Sequence, residues 1–136
     1  MELTVLGMNG PFPAANGATS GYLMRGEKTR VAMDMGSGTL GRLTALMPPE
    51  KLDALLAKLD AYDALDELKA VNPKFADAKA VREKTVYNNN LRLTPTGGND
   101  YWESAVVRPD VVLRDLIHIF HPELVTDSLY YYRHLE

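Results

Sequence analysis

The chain has 136 residues, of which 46% are hydrophobic and 24% charged. That length suits one domain able to bury roughly two-thirds of the surface its unfolded form exposes, and the composition excludes the low-hydrophobicity signature of disorder. A formal net charge of -3 leaves no basic field for a nucleic-acid backbone or an anionic membrane, and the absence of cysteine removes disulfides, thiolate metal sites and a cysteine nucleophile.

In chain order, Leu3 to Leu6 is apolar and β-compatible, and it is closed by Gly7 and the turn-rich Asn9-Gly10-Pro11-Phe12-Pro13. A second strand is expected over Gly21 to Arg25, with Gly26-Glu27-Lys28 as a hairpin loop into a third over Thr29 to Asp34. Gly36-Ser37-Gly38 breaks the chain, and Thr39 is placed to cap a short helix carrying Leu40, Leu43 and Leu46. A glycine-rich phosphate cradle is the alternative there, but no P-loop lysine follows, so turn chemistry is the better reading.

Pro48-Pro49 suits a helix entry, and Leu52, Leu55, Leu56 and Leu59 follow at helical spacing, so an amphipathic helix is expected here. Asp63 to Ala70 continues that helix or begins another, until Asn72-Pro73 ends it. Lys84 to Tyr87 reads as a strand and Asn88 to Gly98 as a turn-prone run. Pro109-Asp110 opens a helix with Val112, Leu113, Leu116, Ile117 and Phe120 on its apolar face, which His121-Pro122 should close. Leu129 to Arg133 fits an edge strand, because aromatic residues suit a half-buried pleated surface.

The segments Thr4 to Pro13, Gly17 to Leu23, Asp34 to Gly38 and Pro48 to Leu55 together resemble the opening of metallo-β-lactamase-fold hydrolases, over residues 1–55. That resemblance implies a following strand that leads into His-x-His-x-Asp-His, whose ligands hold two zinc ions around a hydroxide. Ala57 to Tyr62 offers only Asp60, and the later ligands of the family have no candidate positions. Met8 and Met35 stand where such proteins often carry cysteine; they read as core filler, with deliberate cysteine removal as the alternative.

A second set of segments, Phe75 to Asp77, Lys79 to Val81, Val86 to Asn90, Gly97 to Ser104, Arg108 to Leu113, Asp115 to Ile117 and Ile119 to Leu124, looks like the C-terminal part of periplasmic ABC-transporter substrate-binding proteins of the iron-siderophore and cobalamin class. The resemblance spans residues 65–136, with 56–64 as a helical junction between the two parts. It implies a small-molecule ligand, and the residues to hold it are Asn88, Asn90, Tyr101, Trp102 and Glu103, aromatic faces beside a few polar groups. The competing reading is that Trp102 anchors its loop in the core. His118 and His121 lie three apart at the helix end, with Asp115, Glu123 and His134 as further zinc donors, yet incidental histidines are the simpler reading. Asp60, Asp63, Asp66 and Glu67 read as a solvated helix face.

The expectation is thus one α/β or α+β domain, with a small mixed sheet of about four strands against two or three helices. Functionally it is a designed, generated or recombinant globular chain with no preserved activity, not an enzyme, without metal or cofactor; the alternative is a small-ligand binding module and the third a metallo-hydrolase. No basic leader or apolar run precedes Asn9-Gly10-Pro11, so a cytoplasmic location is expected, with no nucleic-acid partner and no membrane insertion.

Overall fold

The computed structural model of the chain describes residues 1–9, 15, 17–36, 38–57, 64–71 and 73–136, without the side chains of Ala57 and Val71. Six strands form one open sheet in sequential order: β1 (Glu2–Gly7), β2 (Gly21–Arg25), β3 (Arg30–Met33), β4 (Ala54–Ala57), β5 (Val86–Asn88) and β6 (Arg133–His134). The first three run antiparallel, β3, β4 and β5 are mutually parallel, and β6 returns antiparallel at the edge. Among the described residues four α-helices accompany them: α1 (Thr39–Leu46), α2 (Leu65–Val71), α3 (Lys79–Arg82) and α4 (Pro109–Phe120). The mixed α/β class is as expected, with more strands and helices than the four and the two or three read from the sequence.

The pleat divides the core. Leu6, Leu23, Ala32, Leu55 and Val86 point to one face, where Leu40 and Leu43 of α1, Leu65 and Leu68 of α2, and Ala80 and Val81 of α3 cover them. Val31, Ala54 and Leu56 point to the other, where Ala105, Val111, Tyr131 and Tyr132 are buried against them and Leu116, Ile119 and Phe120 of α4 pack alongside. Parallel strands need long crossovers, and the segments between β3 and β4 and between β4 and β5 supply α1, then α2 and α3, on the first face.

This two-sided burial corrects the helix expected from Leu52 onward as far as Ala57, where the first two residues of the junction expected over 56–64 are strand. Ala54 to Ala57 is a central strand, Leu55 facing Ala32 and Val86, and Leu56 facing Met33 and Tyr87. A strand covered on both faces reads as a continuous apolar run, and over so few residues that run matches a helical stripe equally well. Pro48-Pro49 opens only a 3-10 turn over Pro49–Lys51. Leu59 and the rest of 58–63, Asp60 and Asp63 included, lie outside the described residues.

Other elements follow the sequence with small shifts. The strand at Gly21–Arg25 and the helix from Pro109 to Phe120 fall where expected. Thr39 is the first helical residue and not the cap: Gly38 takes that place at φ 84°, while the Thr39 hydroxyl donates to the Gly36 carbonyl at 2.5 Å. In the aromatic tail only Arg133 and His134 pair with β5. Met35 is in the core, but Met8 is exposed, so the core-filler reading holds for Met35 alone. Trp102 is 44% exposed and does not anchor its loop in the core.

Candidate functional site: the crevice at the ends of the parallel strands

In an open parallel sheet the carboxyl ends of the strands leave backbone groups and loops facing a common space, which is where such folds hold ligands. Here that edge is built by Met33 at the end of β3 and Asp34 after it, Leu56 in β4, and Asn89 after β5. They line a crevice of about 200 Å³ together with Tyr22, Tyr101, Trp102 and Tyr132.

The local chain explains each position. Asp34 leaves β3 at φ 54°, a left-handed conformation that aspartate and asparagine tolerate better than most residues. Its backbone N–H donates to the Leu56 carbonyl at 3.0 Å, which ties the end of β3 to β4, and its carbonyl accepts from Gly36 N–H at 3.0 Å. Gly36 is required there: a β-carbon would lie 1.9 Å from the Thr19 hydroxyl oxygen. Among the described residues nothing pairs with the Asp34 carboxylate.

Asn89 is 4% exposed. Its N–H donates to the Asn88 side-chain oxygen at 3.0 Å and its carbonyl accepts from the Asn99 side-chain amide at 3.1 Å, so its backbone is fixed on both sides. Its own Oδ1 is buried without a hydrogen-bond partner. Tyr101 sits at the centre of the aromatic wall, edge-on to Trp102 at 4.9 Å and to Tyr132 at 5.8 Å between ring centroids. The Tyr101 and Tyr132 hydroxyls are 3.3 Å apart. Burial, aided by the Tyr101 hydroxyl, pushes the ionisation of Tyr132 far above the ordinary tyrosine range, so this group remains an O–H.

Of the residues chosen from sequence, Tyr101 and Trp102 line this crevice and also a larger apolar groove of about 380 Å³ formed with Ala105, Val106, Pro109, Val112, Leu113 and Leu116. Glu103 lies elsewhere, in a polar depression with Arg92 and Asp100. Asn88 and Asn90 are fully buried, and the asparagine on the crevice wall is the one between them. Sequence reasoning missed Tyr22, Asp34, Asn89 and Tyr132 as a group, because only the parallel pairing of β3, β4 and β5 brings their ends together.

The histidines do not assemble a zinc centre with their suggested co-ligands. His121 faces Glu123 at 3.4 Å, His134 contacts the Lys84 carbonyl, and Asp115 is consumed by backbone N–H groups of Tyr130, Tyr131 and Tyr132. Among the described residues no three His, Asp or Glu side chains gather as a metal site. A two-zinc centre therefore does not fit the described residues.

No protein-family model matches the chain. Its similarity is to metallo-hydrolases of the metallo-β-lactamase fold. One relative is the Bacillus subtilis (strain 168) protein YhfI, described as a probable metallo-hydrolase, 41% identical over 68 residues that make up 50% of this chain. The chain spans only 28% of that relative's length. A crystal structure of YhfI, a metallo-β-lactamase fold protein, is 38% identical over 53% of this chain and 30% of its own, with a TM-score of 0.44.

The 41% identity supports the N-terminal resemblance and corrects the functional expectation. A chain half of which is 41% identical to a probable metallo-hydrolase points to an enzyme family, so the reading as a designed or generated, non-catalytic protein is withdrawn. The second resemblance gains no such support. Residues 65–136 do not build a separate lobe either; they complete the same sheet through β5 and β6. No helix among the described residues is long and apolar enough to cross a membrane.

Proposed function

We propose that the chain is a hydrolase-type domain whose substrate occupies the crevice at the carboxyl ends of β3 and β4. The observation that carries this reading is the 41% identity, over half the chain, to a probable metallo-hydrolase. The crevice gives the reading a location, since Asp34, Asn89 and Tyr132 come together there from three parts of the sequence. Asp34, unpaired among the described residues, takes the proton of an attacking water. Tyr132, kept as an O–H by burial, donates a hydrogen bond to the substrate oxygen that gains charge as water adds. The rings of Tyr22, Tyr101 and Trp102 exclude bulk water, which strengthens both interactions.

The test is turnover of a small panel, an aryl ester, an aryl phosphodiester and a lactam, by zinc-supplemented and chelator-treated protein. Turnover of at least one member is expected, with kcat/KM reduced about a hundredfold in Asp34→Asn, the lower end of the usual contribution of a positioned base. No turnover under either condition, or full activity in Asp34→Asn, rejects the proposal.

A further inference from the structure

The crevice is one-sided in its electrostatics. Its lining holds one carboxylate, Asp34, and neither lysine, arginine nor histidine. The nearest cation along the strand, Arg30, is turned to Asp53, whose carboxylate also takes Lys79 at 2.6 Å. Asn89 lines the same wall, but its Oδ1 is buried beneath the surface. The remaining wall is aromatic: Tyr22, Tyr101, Trp102 and Tyr132, with the Tyr101 ring set at 82° to Trp102 and 73° to Tyr132. Rings at steep angles present faces in more than one direction, and each face is negative at its centre.

We infer that this crevice takes a small organic cation, an alkylammonium or guanidinium group on a short carbon stem. A carboxylate calls for N–H donors, and aromatic faces stabilise a cation within about 6 Å of their centroids. An anionic substrate would meet Asp34 with no compensating charge on the wall. A neutral one would leave Asp34 unpaired as water was displaced, which is the costly outcome. The volume sets the size: about 200 Å³ is the space of roughly seven waters at about 30 Å³ each, enough for a butylammonium and too little for a drug-sized molecule. This names the substrate class of the crevice and rests on the proposal that the crevice is the substrate site.

The experiment titrates the full chain with n-butylammonium chloride, reading the emission of Trp102, the only tryptophan, which lies on the crevice wall. Sodium chloride at equal ionic strength, 1-butanol and sodium butyrate serve as comparisons. A saturable change is expected with butylammonium, at least tenfold weaker with butanol and absent with butyrate. Asp34→Asn should weaken the cation at least tenfold, and it should fold, because asparagine accepts the left-handed backbone at that position. Equal response to butanol and butylammonium, or equal affinity in wild type and a folded Asp34→Asn, overturns the inference. Binding is read without turnover. Asp34-dependent cation binding by a chain that hydrolyses nothing sustains the cation site and rejects the substrate reading. Turnover that saturating butylammonium leaves unchanged, with no binding signal, overturns the cation site alone.

Discussion

The backbone N–H of Tyr131 donates to the Asp115 carboxylate at 2.7 Å, with both residues almost completely buried. The same carboxylate accepts from Tyr130 at 3.0 Å and from Tyr132 at 3.3 Å. One side chain on α4 therefore stands in for the strand partner that these three residues lack before β6 begins. Asp115→Ala would leave the N–H groups at positions 131 and 132 buried and unpaired. A loss of about 3 kcal/mol is expected, the upper range for a hydrogen bond to a charged group, seen as a lowered urea midpoint at unchanged m.

Asp53 joins β3, β4 and α3 by accepting from the Arg30 N–H at 2.9 Å and from Lys79 at 2.6 Å. Burial acts to raise its pKa, but the Lys79 hydrogen bond, the Arg30 N–H and the charges of Lys79 and Arg30 together hold it below the ordinary 3.8. A depressed carboxyl contributes stability that is present above its unfolded pKa and lost as pH falls through the folded one. Thermal unfolding of wild type should therefore fall more steeply below pH 4 than that of Asp53→Asn. Parallel curves would exclude the contribution.

At Gly7 an added β-carbon would lie 2.0 Å from the Thr19 carbonyl, and at Gly36 1.9 Å from the Thr19 hydroxyl. The Gly7 contact is with backbone, which cannot rotate away. Gly7→Ala should therefore destabilise the fold, whereas Gly41→Ala, at a helical position with open space around it, should stabilise it by up to about 1 kcal/mol. Denaturant midpoints of the two variants, moving in opposite directions, check this.

Leu55 is 1% exposed in the middle of the sheet, and its N–H donates to the Thr85 carbonyl at 3.1 Å. Leu55→Ala should cost about 2–5 kcal/mol. Hydrogen exchange at Leu55 should occur only through global unfolding, since both faces of β4 are covered.

How much of this was legible depended on what surrounds each element. Gly21–Arg25 could be read directly, because Gly26 closes a strand whose partners are its sequence neighbours. Leu55 and Leu56 could not: their adjacency reflects two different cores, a fact about distant helices and not about local period. The crevice shows the same limit. Tyr101 and Trp102 stood out as an aromatic pair, but nothing local links Asp34 to Asn89. Asn89 was also hidden by its neighbours, since Asn88 and Asn90 carry the same side chain and only the backbone turn after β5 decides which one reaches the wall.

The two faces of the sheet are closed by different stretches of the chain, α1, α2 and α3 on one and chiefly α4 with the tyrosine tail on the other. During synthesis from the N-terminus, most of the first face can be covered before the last third of the chain emerges, with the place of Leu135 still unfilled. Val31, Ala54 and Leu56 meanwhile have no cover until residues beyond Ala105 emerge. The vulnerable moment in the life of this protein is that interval, when a nearly closed half-sandwich with an oily back must wait for its lid.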